Sequence, residues 1–158
     1  MLQIRKAEAS DVPTILSLIR ELAAYEKEPE AVVATEPSLL RDGFGDAPRF
    51  HVLLASWEGE PAGFAFYFFA YSTWRGSPVL YLEDVFVRPE HRRRGIGISL
   101  MRSLAKTAVE SGCERFVWQV LDWNEPAIHF YKSIGARALP EWVTMRLEGE
   151  ALQAFAGS

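Results

Sequence analysis

The chain has 158 residues, of which 49% are hydrophobic, and its 17 Lys plus Arg against 21 Asp plus Glu give a formal net charge of -4. This length and apolar content suit one globular domain and exclude a disordered, collagen-like or coiled-coil chain. The acidic balance argues against a general nucleic-acid-binding protein, which usually carries an excess of basic residues.

Signals for disulfides, metals and membranes are weak throughout. Cys113 is the one cysteine in the sequence, so an internal disulfide and a cysteine metal site are excluded. The three histidines show no metal-ligand spacing, and we predict no metal. The opening MLQIRKAEASD is charged too evenly for a signal peptide, and the apolar run FAFYFFAY is far shorter than the roughly 20 residues of a membrane-spanning helix. We therefore expect a soluble, cytoplasmic protein with no membrane partner.

The first third of the chain predicts a strand followed by two helices. Residues 2–7 alternate as a short strand. Ser10 and Asp11 offer N-caps for a helix over about residues 11–26, in which apolar side chains keep helical spacing. EPSLLRDGF predicts a second, short helix that ends at Gly43.

The middle third predicts a hairpin, a buried strand and a helix. FHVLLASW and AGFAFYFFAYS are rich in β-formers and flank the turn EGEP. PVLYLEDVFV is apolar on both faces and predicts a central strand. Residues 97–111 predict an amphipathic helix.

The last third predicts two further strands with a helix between them. CERFVWQVL, residues 113–121, is the first of these strands. Asn124 caps a helix that ends at Gly135, and EWVTMRLEG closes the sheet. The order β-α-α-β-β-β-α-β-α-β indicates a single mixed α/β domain over residues 1–158.

The segment RRRGIG connects the predicted central strand to the helix that follows it. N–H groups at a helix N-terminus bind phosphate oxygens, glycines let a ligand approach the backbone, and arginines add charge-assisted hydrogen bonds. The segment is not a P-loop, which requires GxxxxGK[ST], and the third glycine of a Rossmann fingerprint falls at Leu100. From this segment alone, a diphosphate site and a solvated arginine cluster stay equally open.

Taken whole, VFVRPEHRRRGIG resembles the acetyl-CoA loop of the GNAT superfamily of N-acetyltransferases, with Arg92, Gly95 and Gly97 at the positions of its pattern. DWNEPAIHFYKSIGA resembles the second signature of that family. LAAYEKEPE, LLRDGFG, YLEDVFV and WNEPAIHFYK narrow the resemblance to the spermidine/spermine (diamine) and thialysine acetyltransferase group. The resemblance covers about residues 4–148 and implies a mostly antiparallel sheet flanked by helices, an α+β fold, and a homodimer.

The resemblance also implies acetyl-CoA as the cofactor. It assigns the pantetheine to the end of the central strand, the pyrophosphate to the glycine loop, and further contacts to the Asn-capped helix. A backbone N–H of the strand would polarise the thioester carbonyl, as in an oxyanion hole. The residues implied are Val85, Phe86, Val87, Arg92, Arg93, Arg94, Gly95, Ile96, Gly97, Ile98, Asn124, Glu125, Pro126, Ala127 and Tyr131.

Glu83 and Tyr131 are the candidate catalytic residues. The acceptor ammonium, with a pKa near ~10.4, must lose a proton before it can attack, and Glu83 is the candidate acceptor of that proton, directly or through water. The alternative for Glu83 is a carboxylate bonded to backbone at a strand irregularity, and Asp84, on the opposite face, is expected to be structural. The resemblance makes Tyr131 the general acid, although its place on the apolar stripe of its helix also fits a core residue.

A small cationic amine is the expected substrate, held by acidic and aromatic side chains. The dipole of the first helix disfavours a carboxylate at Glu26, at the C-terminal end, which supports a binding role there. Thr73 stands where polyamine-specific members tend to carry an acid, so thialysine or a lysine analogue is as well supported as a diamine or polyamine. Trp118 fits either an aromatic wall for a cation or the core. The substrate-binding candidates are Tyr25, Glu26, Glu83, Trp118 and Gln119.

These observations predict an acetyl-CoA-dependent amine N-acetyltransferase that works by direct attack of the amine in a ternary complex. One alternative is a non-catalytic acyl-CoA-binding module. Another is a GNAT enzyme for a different amine, such as an aminoglycoside or a protein amine. A nucleic-acid-binding domain that uses the arginine cluster is disfavoured by the acidic total, and we expect no nucleic-acid partner.

Overall fold

The computed structural model describes residues 1–157, which form one five-stranded sheet and five α-helices. The strands are β1 (Leu2–Lys6), β2 (His51–Trp57), β3 (Glu60–Ser72), β4 (Ser77–Val87) and β5 (Arg115–Trp118). The helices are α1 (Val12–Tyr25), α2 (Glu36–Gly43), α3 (Ile96–Glu110), α4 (Glu125–Ser133) and α5 (Gly149–Gly157).

The sheet has the strand order β1-β2-β3-β4-β5. The first four strands are antiparallel to their neighbours, and β5 runs parallel to β4. The predicted fold class, a mostly antiparallel sheet flanked by helices, is confirmed. The hairpin between β2 and β3 turns at Glu58 and Gly59, which have φ of 50° and 84°, as the segment EGEP predicts.

The strands β4 and β5 stay paired only over a short distance. Their register runs from Val79 opposite Arg115 to Leu82 opposite Trp118, whereas β4 continues to Val87. Within residues 1–157, the last part of β4 has β3 on one side and no strand on the other. The two strands therefore open at this end of the sheet.

One face of the sheet packs against α1 and α2. Five side chains of α1 are buried because they recur on one stripe of the helix, as its apolar spacing predicts. They pack with Leu39 of α2 and with sheet residues that include Val52, Leu54, Phe64 and Phe86. Capping of α2 by Thr35, whose hydroxyl accepts from the Ser38 N–H at 3.2 Å, fixes the start of this helix.

The opposite face of the sheet packs against α3. The helix contacts β2, β3 and β4, and its inward stripe is completely buried at Leu100 and Leu104. Side chains alternate across a strand, so Leu53, Ala55 and Ala65 face away from the α1 layer. The packing of α3 on the sheet thus places the loop before it at the end of β4.

The backbone divides into two compact units, residues 1–119 and residues 120–158. The first contains the whole sheet, α1, α2 and α3. The second contains α4 and α5, and the structure describes it as far as residue 157. Among the helices formed by residues 1–157, none combines the length and apolar character needed to cross a membrane.

One prediction for the last third of the chain is wrong, and one predicted strand is present but shorter than expected. EWVTMRLEG was expected to form a closing strand, but no strand is present between α4 and α5, and Trp142, Val143 and Met145 are exposed there. Alternating apolar residues give β-propensity, but a strand also requires a neighbouring strand to accept its hydrogen bonds. The predicted strand over residues 113–121 is shorter in the structure and covers Arg115–Trp118.

Candidate active site

The loop that precedes α3 has an unusual backbone. Arg93 and Gly95 both have positive φ, 64° and 74°, and Gly95 is the N-cap residue of α3. An α-helix leaves its first N–H groups without intrahelical acceptors, and alternating left-handed residues turn such groups toward one point. Gly97 adds no side chain, and a Cβ there would meet nothing closer than Val87 Cγ2 at 3.9 Å. This loop fits a diphosphate such as that of coenzyme A.

The three arginines of the loop do not form one solvated cluster. The Arg92 guanidinium lies over the ring of Tyr25, 5.1 Å from its centroid, and its Nε donates to the Val87 carbonyl at 3.0 Å. Arg94 lies over the ring of Trp57 at 4.9 Å, and its Nη1 is 3.0 Å from His91 Nδ1. Two of the three side chains are therefore placed by contacts within the protein.

The last residues of β4 run beside the opening between β4 and β5. Val85 and Val87 pair with Ala65 and Gly63 of β3 on the other side. Gly63 is required by this pairing, because a Cβ there would lie 2.4 Å from the carbonyl oxygen of Phe86. The segment expected to bind pantetheine thus has one backbone edge paired and the other beside the opening, as an extended ligand requires.

The register between β3 and β4 skips one residue at Glu83. Phe66 pairs with Asp84 and Tyr67 pairs with Leu82, so Glu83 is the extra residue of a β-bulge. Along a regular strand, side chains alternate between the two faces, and this alternation was the reason to expect Glu83 and Asp84 on opposite faces. A bulge changes the direction of the side chains, so the alternation does not hold here. Glu83 is exposed. The strand irregularity that the sequence analysis offered as an alternative for Glu83 is therefore present. The hydrogen bond from backbone to the Glu83 carboxylate, which that alternative also required, is absent within residues 1–157.

Asp84 is the most perturbed carboxyl group among the described residues. Burial, repulsion from Glu83 and repulsion from Glu26 together raise the pKa of Asp84 to about 7. Burial also raises the pKa of Glu26, which caps the C-terminus of α1. None of these three carboxylates forms a salt bridge in the part of the chain that the structure describes. We refer to Glu26, Glu83 and Asp84 as the acidic cluster.

The acidic cluster brings together two of the predicted substrate residues and adds one that the sequence analysis treated as structural. Burial of a carboxyl group at a strand bulge has no sequence signal of its own. The adjacent acids in YLEDVFV, on a strand otherwise apolar on both faces, were the only available indication. A cation next to this cluster would relieve the repulsion between the carboxylates, which makes the cluster suited to an ammonium group.

The remaining candidates of the first unit lie at the ends of α1 and β5. Tyr25 is 40% exposed and ends α1. Trp118 is half-buried, with its ring 4.9 Å from that of Phe116, and it forms the last pair with β4 before the strands separate. Gln119 follows it and is exposed. Trp118 is thus not a fully buried core residue.

The second unit carries the Asn-capped helix as predicted. The Asn124 side chain is buried, and its Oδ1 accepts from the Ala127 N–H at 3.4 Å. The helix ends before Gly135, whose φ is 96°. Tyr131 lies in its last turn and is half-buried, and no residue of α4 belongs to the buried core. Glu125 and Pro126 occupy the first turn and are exposed.

No group of three or more His, Cys, Asp or Glu side chains within residues 1–157 has the arrangement of a metal site. Burial raises the pKa of the Cys113 thiol, which keeps it in the weakly nucleophilic protonated form. The protonated Cys113 thiol therefore contributes no nucleophile to the site.

Comparison with known proteins assigns the family. The acetyltransferase (GNAT) family model matches residues 14–136. Thialysine N-epsilon-acetyltransferase from Sus scrofa is 45% identical, with 98% of this chain and 96% of that protein covered. Spermidine/spermine N(1)-acetyltransferase-like protein 1 from Homo sapiens is 41% identical over 95% of this chain and 23% of its own length.

A solved structure with the same fold is the integron cassette protein from the mobile metagenome of V. cholerae. The two structures superpose with a TM-score of 0.83 and 29% sequence identity. The match covers 99% of this chain and 98% of the cassette protein. The family model, the full-length relatives and this structure agree with the geometry of the loop and the sheet. The chain belongs to the GNAT family of acetyltransferases.

Proposed function

We propose that this acetyltransferase transfers an acetyl group from acetyl-CoA to a primary amine of a small cationic acceptor. The observation that carries the proposal is the acidic cluster, in which three carboxylates without a salt bridge adjoin the bulge of β4. Such a cluster attracts an ammonium group and repels anions. A positively charged small molecule is therefore the acceptor class that this site favours.

The cofactor is assigned to residues whose backbone fits it. Amides of residues 93–98 bind the diphosphate at the start of α3, assisted by the Arg93 and Arg94 side chains. Residues 85–87 bind the pantetheine along the strand edge, and one of their N–H groups polarises the thioester carbonyl. The family resemblance assigns further cofactor contacts to residues 124–127 and Tyr131. When bound, acetyl-CoA supplies the acetyl group in activated thioester form.

Two side chains carry the proton transfers. Glu83 is exposed at the bulge and accepts a proton from the acceptor ammonium, directly or through water. Tyr131 donates a proton to the leaving group. Cys113 takes no part, because its thiol is held in the protonated form, and this favours direct attack of the amine over an acetyl-cysteine intermediate.

Thialysine or a similar amino-acid-like amine is the acceptor we favour over a long polyamine. The full-length relative at 45% identity bears the name thialysine N-epsilon-acetyltransferase, whereas the spermidine/spermine-like relative is less similar. Thr73 adds no negative charge in the turn after β3. Arg75, in the same turn, is paired with Glu114, with Nη2 and Oε1 2.8 Å apart, so binding a substrate carboxylate there would require breaking that pair.

The test is an acetylation screen that follows CoA thiol release with thialysine, lysine, putrescine, spermidine and an aminoglycoside. We expect the highest kcat/KM with thialysine and lower values with the polyamines. Highest activity with the aminoglycoside would move this protein to another acceptor class. Thiol release with none of the amines, combined with measurable CoA binding, would favour the non-catalytic acyl-CoA-binding module.

Nucleic-acid binding is a poor fit to the loop. The Arg92 and Arg94 side chains are stacked on Tyr25 and Trp57 and do not form a basic patch. A homodimer stays a prediction that rests on the resemblance, and a cytoplasmic location stays a prediction that rests on the sequence features given above. Exposed apolar side chains of the second unit at Trp142, Val143 and Met145 are consistent with a subunit interface, and sedimentation equilibrium should give twice the 17.8 kDa chain mass.

A further inference from the structure

The last two turns of α1 contact the segment between β4 and α3 at two places, one just before and one within the diphosphate loop (residues 92–98, which include the first turn of α3). Glu21 and Tyr25 lie four residues apart and therefore share one face of the helix. Their partners, Arg88 and Arg92, lie on either side of the single helical turn Pro89–His91 that leads from β4 into the loop. The same helix ends at Glu26, a member of the acidic cluster.

The first contact is an ion pair between Glu21 and Arg88. Arg88 Nη2 donates to Glu21 Oε2 at 2.8 Å and Arg88 Nε donates to Oε1 at 3.0 Å. The exposed fractions of the two side chains are only 21% for Arg88 and 36% for Glu21. A two-point arginine–carboxylate pair fixes both distance and orientation, and partial burial protects it from screening by salt.

Arg88 is also anchored to the neighbouring strand. Its Nη1 donates to the Pro61 carbonyl at 2.9 Å, and its main-chain N–H donates to the Ala62 carbonyl at 2.8 Å. One residue thus ties together α1, the start of β3 and the end of β4. Arg88 is therefore anchored in space immediately before the loop begins.

The second contact explains what the Arg92 side chain does. Its guanidinium lies near the adjoining rings of Tyr25 and Phe86, at 5.1 and 5.8 Å from the ring centroids. Its Nε bonds the Val87 carbonyl at the end of β4. Arg92 thereby acts on the shape of the loop through its side chain, in addition to the ligand-binding role assigned to the loop as a whole.

The loop needs such external support because its backbone is unfavourable. Arg93 is a non-glycine residue with φ of 64°, a conformation that side chains other than glycine rarely adopt. Non-glycine residues in the left-handed region persist only where the surroundings determine them. We propose that Glu21 and Arg88 form a positioning pair that, together with the stacking of Arg92 on Tyr25, holds the diphosphate loop in its binding conformation.

This inference rests on the proposed assignment of the loop to coenzyme A. Its test compares Glu21→Gln, Arg88→Gln and the double variant with the wild type, by measuring the Kd for CoA without any amine. We expect each single variant to weaken CoA binding about tenfold. The double variant should be no weaker than the single ones, because the two residues act through one contact.

Asp11→Asn is the matched control. Asp11 forms a two-point pair with Arg5, at 2.7 and 2.9 Å, at the opposite end of the same helix. This change should lower the unfolding temperature without changing the Kd for CoA. A Kd within twofold of wild type in both single variants, or an equal loss in the Asp11 variant, overturns the positioning role.

Hydrogen exchange of the loop amides separates this inference from the proposed function. In the protein without ligand, amides of residues 93–98 should exchange faster in Glu21→Gln than in wild type or in Asp11→Asn. This measurement does not depend on CoA. If the wild type binds no CoA, the proposed function fails, while unchanged loop exchange in Glu21→Gln removes the positioning pair itself.

Discussion

Asp84 is the residue at which folding and function make opposing demands. An apolar residue would pack beside Phe66, its partner on β3, without the desolvation of a carboxyl group. The nearby Glu83 and Glu26 add repulsion instead of compensation. Such a group is costly when ionised and becomes favourable only when a cation is near, so the cationic acceptor proposed above would stabilise the cluster.

The first residue-scale prediction concerns the pH dependence of stability. The pKa of Asp84 rises from 3.8 in the unfolded reference to about 7 in the fold, so between these values the folded protein binds more protons than the unfolded chain. Its free energy of unfolding therefore falls as the pH rises through this window and levels off above it. Asp84→Asn removes this dependence and should make the protein more stable than wild type at pH 8 by a larger margin than at pH 4.5.

The measurement is denaturant unfolding of both proteins at the two pH values. Asp46→Asn, at an exposed aspartate outside the sheet, serves as the control. An identical pH dependence for wild type and Asp84→Asn would show that Asp84 does not titrate abnormally.

The second residue-scale prediction concerns Tyr131. Its half-buried position on α4 means that removal of the hydroxyl leaves no cavity in the core. Tyr131→Phe should therefore fold normally, bind CoA as the wild type does, and lose about 10²-fold in kcat, the range typical of a general acid. Steady-state kinetics with the best amine gives kcat, and unchanged turnover would exclude Tyr131 from the mechanism.

At the scale of the element, the loop and the start of α3 use glycine in two different ways. Gly95 has φ of 74°, a conformation that side chains other than glycine rarely adopt, so glycine is needed there for the backbone. Gly97 lies inside the first turn of α3 without a positive φ, and an added Cβ has room. The fold does not require glycine at position 97, and the reason for it lies in what approaches the backbone.

The element-scale prediction is that Gly97→Ala separates stability from binding. Alanine in a helix should stabilise the protein by about 0.5–1 kcal/mol relative to glycine, while its methyl group obstructs the diphosphate and weakens CoA binding at least tenfold. Thermal unfolding and calorimetric titration give the two values. Gly112→Ala, at a φ of 78° beyond the far end of α3, should do the reverse, with lower stability and normal binding. If Gly97→Ala binds CoA normally, the diphosphate does not lie against this turn.

At the scale of the whole molecule, short sequence patterns predicted which segments form helices. Apart from the hairpin of β2 and β3, they did not predict which strands pair or in what register. The stripes of α1 and α3, the cap at Asn124 and the family signatures are encoded within short segments, and the structure confirms those helices. The bulge at Glu83 depends on the register between two strands, and the early separation of β5 from β4 depends on side chains far apart in sequence. The failed strand over residues 141–149 had the right alternation but no neighbouring strand.

The last prediction concerns whether the two compact units behave as the single domain expected from the sequence. Every apolar residue of the buried core lies between Val12 and Ala108, and the second unit buries only Asn124 among its described residues. A segment of this size without a core or a disulfide is too small to be stable alone, since chains below about 40 residues usually need such additional support. The single domain that the sequence predicts over residues 1–158 requires the second unit to unfold together with the first, in one cooperative transition.

Hydrogen exchange over a denaturant series, followed by mass spectrometry, tests this expectation. Peptides from α3 and from α4 should lose protection at the same denaturant concentration, because in a two-state transition all parts of the chain report the same equilibrium. Added CoA should move both midpoints upward by the same amount, since a ligand that binds only the folded state stabilises the whole cooperative unit. Loss of protection in α4 well before α3 would mean that residues 120–158 open separately, and the chain would then consist of two units rather than one domain.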